Sequence, residues 1–158
     1  MNQIFLLSGP IHTGKTTRLT KWIKNKEGVD GILQPVINGK RHIKHIFSGE
    51  IQLLEISPGP HEKVILAIGN YKFNNDVFKW ARSKLILSFE QYPKWLIIDE
   101  VGKLEMDEKG LEPAISKILN DLNDHSDMNL VFVVRDYLVP EFLIKYSLNK
   151  NDIQNLEI

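Results

Sequence analysis

Residues 9–16 read GPIHTGKT, and this glycine-rich segment lies between two stretches of contrasting character. An apolar run, residues 3–7, precedes it, and residues 15–24 combine good helix formers with apolar side chains at helical spacing. We therefore predict a β-strand, a tight turn and an α-helix in direct succession. A chain built on such a unit is expected to adopt an α/β fold, in which parallel strands alternate with helices.

The rest of the chain continues this alternation. We predict strands at 64–68, 95–98, 130–134 and 154–158, and helices at 75–87, 111–122 and 140–146. The continuous apolar run at 95–98 is typical of a strand buried on both faces of a parallel sheet. Asn74 or Asn75 is expected to cap the second helix, and Pro113 is tolerable in the first turn of the third. The pattern predicts a mostly parallel sheet flanked by helices.

Residues 31–56 have a different pattern of short β-leaning pieces, at 32–37, 42–47 and 51–56. Asn38-Gly39, between the first two pieces, favours a type I′ hairpin, because both central residues of that turn need a positive φ. Pro35 favours an edge strand, since proline cannot donate to a ladder. We predict a small antiparallel meander inserted into a single domain of residues 1–158.

Composition excludes several classes of function. The 158 residues include no cysteine, so thiol catalysis, disulfides and cysteine-based metal sites are excluded. Twenty basic and twenty acidic residues give zero net charge, which argues against a nucleic-acid partner unless a local patch supplies the charge. The apolar stretch at 4–7 is too short for a signal peptide, and no segment approaches a membrane span. A cytoplasmic location without membrane association is expected.

The segment at 9–16 fits G-x-x-x-x-G-K-[ST], and its position between a strand and a helix is the context that this motif requires. Backbone amides and the helix N-terminus favour a polyphosphate there. Lys15 is expected to bridge the β- and γ-phosphates, and Thr16 to bind Mg²⁺. The predicted nucleotide-binding residues are Gly9, Pro10, His12, Thr13, Gly14, Lys15, Thr16 and Thr17. His12 either contacts phosphate or occupies a variable position of the motif.

Asp99 and Glu100 directly follow the apolar run at 95–98. A buried strand that ends in acids delivers them to the carboxyl edge of the sheet, where ligands bind in open α/β folds. Asp99 is expected to hold Mg²⁺, and Glu100 to accept a proton from an attacking water. The alternative is a polar strand exit or a helix cap. Beyond them, Lys103 either approaches the γ-phosphate or is solvated, and Glu105 is expected to be structural.

Arg135 follows the apolar strand at 130–134, and its role has two interpretations that remain open. It either stabilises the charge that develops on the transferred phosphoryl group, as a catalytic residue acting in cis, or forms an ordinary ion pair with Asp136 or another carboxylate.

Other polar and aromatic residues are expected to have no catalytic role. We predict His42, His45, His61 and His125 at the surface, Trp22, Trp80 and Trp95 in the core, and the basic tract 40–45 on a solvated hairpin face.

Residues 99–105, DEVGKLE, resemble the Asp-Glu-Ile-Gly-Lys-Met-Glu signature of the small P-loop nucleoside-triphosphatase family, which includes thermophilic archaeal and bacterial proteins and a human cancer-related one. The loop at 9–17, the hairpin at 31–47 and the segment 68–71 match further family regions. The resemblance implies a RecA-like core, Mg²⁺-dependent hydrolysis of nucleoside triphosphate to diphosphate and phosphate, broad nucleobase tolerance, and Glu100 as the base. His12 replaces a common family glycine, and base contacts from the usual C-terminal tail are expected to be absent.

Three functions remain open at this level. The first is a Mg²⁺-dependent nucleoside triphosphatase. The second is a small-molecule kinase, which needs the same loop and Asp99 but usually also an arginine-rich lid that the sequence lacks. The third is a nucleotide-dependent switch without appreciable turnover.

Overall fold

The computed structural model describes residues 1–10, 13–57, 65–69 and 71–158. The predictions for His12, His61, Val64, Asn70 and the turn at 58–60 lie outside the described residues.

The described chain forms strands and helices in the expected alternation. The strands are β1 (Gln3–Gly9), β2 (Val29–Leu33), β3 (Val36–Ile37), β4 (Lys40–His45), β5 (Ile51–Leu53), β6 (Ile65–Ile68), β7 (Tyr71–Asn74), β8 (Trp95–Val101), β9 (Asn129–Arg135) and β10 (Ile153–Asn155). The helices are α1 (Lys15–Ile23), α2 (Asn75–Glu90), α3 (Lys103–Met106), α4 (Ala114–Asp121) and α5 (Val139–Lys145).

A mixed sheet organises these elements, and its strand order is β10-β1-β9-β8-β2-β4-β3, with β5 also paired to β4. The strands from β10 to β2 are mutually parallel, whereas β4 runs antiparallel to β2, β3 and β5. Strands β6 and β7 form a separate antiparallel hairpin. The predicted fold class, a mostly parallel sheet flanked by helices with a small antiparallel part, is confirmed.

The central strands are apolar on both faces because helices cover both sides of the sheet. On one side, Leu96, Ile98 and Phe132 join a core with buried residues of α2, α4 and α5. On the other side, Ile97 and Val131 pack in a second cluster that includes Leu19 of α1. Alternate residues of one strand therefore enter opposite cores, as the uninterrupted apolar run at 95–98 predicted.

The antiparallel region differs from its predicted form. The piece expected at 32–37 is divided into β2 and β3, because Pro35 has no amide hydrogen with which to continue a ladder. Its carbonyl instead accepts the His42 amide at 2.9 Å. Strand β2 pairs in parallel with β8, so the predicted meander extends the main sheet. The Asn38-Gly39 turn is confirmed, with φ of 52° and 76° and with Val36 paired to Arg41.

Among the strands and α-helices of the described residues, two were not predicted, and one helix begins later than expected. Strand β7 and the four-residue helix α3 lack a periodic pattern long enough to detect. Helix α4 starts at Ala114 with Pro113 as its N-cap, not at 111. Residues 111–113 form a turn before the helix, and the Leu111 amide donates to the buried carboxylate of Glu105 at 3.3 Å.

The predicted surface location of two histidines is wrong. His45 is buried, with its ring nitrogens 2.8 Å from Ser48 Oγ and 2.9 Å from Ser88 Oγ. His125 is also buried, against the rings of Phe89 and Tyr92. The two serines satisfy the ring of His45, whereas Nδ1 of His125 is buried with no hydrogen-bond partner among the described residues. Neither environment is visible in the sequence. His42 is half-buried.

The tryptophans pack as predicted. Trp22 of α1 meets Trp95 of β8 edge to face with ring centroids 4.9 Å apart, and Trp80 packs against the larger core.

Within the described ranges, no helix is long and apolar enough to cross a membrane, and no group of three or more His, Asp or Glu side chains could hold a metal ion.

Gly31 provides a direct test of the pairing between β2 and β8. Its φ is +119°, and an added Cβ would lie 2.2 Å from the Ile97 carbonyl oxygen in the neighbouring strand. Since backbone atoms in mid-sheet cannot move aside, we expect Gly31→Ala to lower the free energy of unfolding by about 3 kcal/mol. The measurement is urea denaturation.

Gly39→Ala is the matched control. Its φ is also positive, at +76°, but no heavy atom lies within 4 Å of the added Cβ. We expect this variant to lose only about 1 kcal/mol. Equal losses in the two variants would contradict the close approach of β2 to β8.

Candidate active site

Three parallel strands end at one edge of the sheet and bring the predicted functional residues together. Gly9, the last residue of β1, pairs with Arg135, the last residue of β9. On the other side of β9, Asp99 of β8 pairs with Val133. The loop after β1, the acids of β8 and the arginine of β9 therefore meet at the carboxyl edge, where ligands bind in open α/β sheets.

Asp99 connects the end of β8 to the first turn of α1. Thr16 Oγ1 donates a 2.8 Å hydrogen bond to Asp99 Oδ2, and the Gln34 amide donates to the same oxygen at 3.1 Å. The Asp99 side chain is fully buried. A single carboxylate thus joins segments that are 83 and 65 residues away in the chain.

The other carboxylate oxygen of Asp99 is unusual. Oδ1 is buried and has no hydrogen-bond partner among the described residues. Burial, reinforced by the nearby charge of Glu100, raises the pKa of Asp99 to about 6. An ionised carboxylate with an unpartnered buried oxygen is costly unless a cation compensates it.

The glycine-rich loop places an ammonium group above this edge. Gly14 caps α1 with φ of 73° and ψ of 26°, a left-handed conformation that glycine adopts readily. The Lys15 side chain is buried and folds back over the loop, where its Nζ donates to the carbonyls of Gly9 at 3.1 Å and Pro10 at 2.7 Å. Burial lowers the pKa of this ammonium. Thr13 Oγ1 also donates to the Pro10 carbonyl, at 2.8 Å.

Glu100 lies beside Asp99 and is held by two arginines. Its Oε1 is 3.0 Å from Arg41 Nη1 and 3.3 Å from Arg135 Nη2. All three side chains are only partly exposed, at 16%, 20% and 19% respectively. In the structure Arg135 forms an ion pair, as one of its two interpretations expected, and the partner carboxylate is that of Glu100.

A cleft of about 600 Å³ opens over these residues. Its lining includes the loop and the first turns of α1, the start of the β3–β4 hairpin, and the Glu100 cluster. The predicted site residues on this lining are Thr13, Gly14, Lys15, Thr16, Thr17, Glu100 and Arg135. Pockets that bind small ligands commonly have volumes of about 300–1,000 Å³.

The segment after Glu100 has mainly local roles. Glu105 is buried and accepts the amides of Gly102 at 3.0 Å and Leu111, so it organises the turn as expected. Burial raises the pKa of Glu105 to about 8. Lys103 is exposed, with its Nζ 5.8 Å from the centre of the Tyr137 ring.

Arg41 and Gln34 were missed by the sequence analysis, which placed the basic tract 40–45 on a solvated face. That prediction is wrong for Arg41, whose guanidinium lies in the candidate site. Arg41 shares a strand face, at a spacing of two residues, with Ile43 and His45, and the burial of that face follows from the pairing of β4 with β2, which the sequence does not reveal. Gln34 directly follows β2, and the hydrogen bond from its backbone amide to Asp99 brings it to the site.

The fold and the glycine-rich loop define a P-loop α/β protein. The structure of THEP1 from the hyperthermophile Aquifex aeolicus is similar, with a TM-score of 0.74, 19% sequence identity, and coverage of 98% of this chain and 89% of that one. The solution structure of a human cancer-related nucleoside triphosphatase aligns with a TM-score of 0.61, 20% identity, and coverage of 99% and 88%. No curated protein matches the chain by sequence.

The family model described as NTPase matches residues 4–158. The chain belongs to this NTPase family and is a nucleoside-triphosphate hydrolase. The resemblance inferred from the motifs is therefore confirmed.

The raised pKa of the buried Asp99 predicts how the free energy of unfolding depends on pH. The folded protein retains the Asp99 proton up to about pH 6, whereas the unfolded chain releases it near the ordinary pKa of 3.8. The folded state binds more protons in this interval, so stability falls as the pH rises through it. Relative to Asp99→Asn, we expect the metal-free protein to lose about 2 kcal/mol between pH 4 and pH 7.

Urea denaturation of both proteins in EDTA measures this difference. Asp107→Asn, at an exposed position, is the control and should show no such trend against the unmodified protein. A stability difference between the Asp99→Asn variant and the unmodified protein that does not change with pH would contradict the raised pKa.

Proposed function

We propose that this protein hydrolyses nucleoside triphosphate to diphosphate and phosphate in the 600 Å³ cleft, with Mg²⁺ as cofactor. The observation that carries the proposal is the hydrogen bond from Thr16 to Asp99 beside the arginine-held Glu100. An ammonium group, two carboxylates and two guanidinium groups lie near one another at this edge of the sheet. Phosphoryl transfer depends on positioning and charge stabilisation, which such a cluster can supply.

Lys15 and the loop amides are proposed to bind the β- and γ-phosphates. Among the described residues, the Lys15 ammonium donates its hydrogen bonds to the neutral carbonyls of Gly9 and Pro10, and a triphosphate would give it an anionic partner. Gly14 caps the N-terminus of α1, so this helix N-terminus adds to the positive potential of the loop. Gly9, Pro10, His12, Thr13 and Thr17 complete the proposed nucleotide-binding set.

Thr16 and Asp99 are proposed to hold Mg²⁺. Both offer oxygen atoms, the donors that this ion prefers, and the unpartnered Asp99 Oδ1 is a buried oxygen suited to a cation or to its bound water. With a pKa of about 6, Asp99 is mostly ionised at neutral pH, as a metal ligand must be. When bound, the ion would neutralise charge on the phosphoryl oxygens.

Glu100 is proposed as the general base. An attacking water gives its proton to the Glu100 carboxylate while its oxygen bonds to the γ-phosphorus, and the bond from that phosphorus to the bridging oxygen breaks to release the diphosphate. Arg41 and Arg135 fix Oε1 of this carboxylate. Arg135 is also proposed to stabilise the transferred phosphoryl group, a role that contributes about 10³–10⁵ in rate elsewhere.

Replacing Glu100 by glutamine tests the proposed base. Glutamine keeps the shape of the side chain but accepts no proton, so we expect Glu100→Gln to bind nucleotide while single-turnover phosphate release falls at least about tenfold. Adding EDTA to the unmodified protein should suppress release to a similar or greater extent.

Glu50→Gln, at an exposed position outside the cleft, is the matched control and should release phosphate at the unmodified rate. Nucleotide affinity and the melting temperature are measured for both variants to verify folding. Unchanged release by a folded Glu100→Gln variant would assign the base to another group, and EDTA-resistant release would contradict the Mg²⁺ proposal.

A further inference from the structure

A second cleft, of about 220 Å³, opens on the other side of Glu100. It shares five residues with the larger cleft, namely Gln34, Arg41, Tyr71, Glu100 and Arg135. The two clefts therefore meet at the group proposed as the base. A water molecule needs only about 10–15 Å³ of such volume, so hydrolysis alone does not require a cleft of this size.

The lining of the second cleft combines apolar and aromatic side chains with charged ones, which include Lys103 and Glu105 besides the shared Glu100 and arginines. Its inner part includes Leu54, Phe73, Phe78 and Leu104, all buried, and Phe73 stacks in parallel on the ring of Tyr71 with centroids 6.3 Å apart. Tyr71 and Tyr137, at 46% and 54% exposure, present phenol rings to solvent. Aromatic and apolar side chains beside a set of charged groups can hold a small molecule that has both a ring and polar substituents.

We propose that this cleft binds a phosphoryl acceptor, a heteroaromatic ring that carries a primary alcohol and is no larger than a nucleoside. The aromatic lining suits the ring, and the common wall of the two clefts brings the alcohol to Glu100 and the γ-phosphate. The inference rests on the proposed function, because it uses the same triphosphate site and the same base.

The transfer step replaces water by the alcohol. The alcohol oxygen forms a bond to the γ-phosphorus, the bond between that phosphorus and the bridging oxygen breaks, and its electron pair leaves with the nucleoside diphosphate. The hydroxyl proton passes to the Glu100 carboxylate. The products are a phosphate monoester and a nucleoside diphosphate, and hydrolysis is the same reaction with water as acceptor.

The experiment supplies the full-length protein with Mg²⁺ and triphosphate, together with adenosine, guanosine, cytidine, uridine or pyridoxine as the probe. Phosphorus NMR measures phosphate monoester and inorganic phosphate in the same sample. We expect a new monoester signal with at least one probe. We also expect Tyr137→Ala to reduce the ratio of monoester to phosphate at least about fivefold, because Tyr137 lines only the second cleft.

Tyr92→Ala is the matched control, since this exposed tyrosine lines neither cleft, and its ratio should equal that of the unmodified protein. Saturation-transfer NMR detects binding of each probe to the Glu100→Gln variant loaded with triphosphate. Phosphate release without monoester, together with no probe binding, overturns the acceptor site and leaves the hydrolase intact. Absence of both products overturns the proposed function as well.

Discussion

The hydrogen bond from Thr16 to Asp99 is the interaction on which the candidate site depends. It fixes the first turn of α1 against the end of β8, and Asp99 receives the Gln34 amide at the same oxygen. Three elements from distant parts of the chain are thereby held at one point. This arrangement costs free energy, because the Asp99 carboxylate is fully buried and its pKa is raised to about 6. The folded protein bears that cost when no cation is bound.

The two-sided core explains why this edge of the sheet can be rigid. Strands β8 and β9 are buried on both faces, so neither can shift without opening two hydrophobic clusters. The polar residues at the carboxyl ends of these strands, Asp99, Glu100 and Arg135, are therefore held in fixed positions. A proposed base held by two guanidinium groups at the end of such strands is preorganised in the way that charge-stabilising catalysis requires.

Sequence reasoning predicted the parts of the molecule that are determined locally. The β1–loop–α1 unit, the apolar strand before Asp99 and the Asn38-Gly39 turn depend on contiguous residues, and each was found where the pattern placed it. Arg41 and the burial of His45 depend instead on how the antiparallel strands extend the main sheet. Helix α3 depends on Glu105, whose carboxylate caps a turn of four residues. Such tertiary effects leave little trace in a single sequence.

The central claim is that the glycine-rich loop and the acids of β8 form one site for a triphosphate and its divalent ion. The most direct measurement is a crystal structure with Mn²⁺ and a non-hydrolysable triphosphate, in which anomalous scattering locates the ion. The account predicts one strong peak between Thr16 and Asp99, with the phosphates along residues 13–16. A peak remote from both side chains, or a triphosphate bound elsewhere, would contradict it.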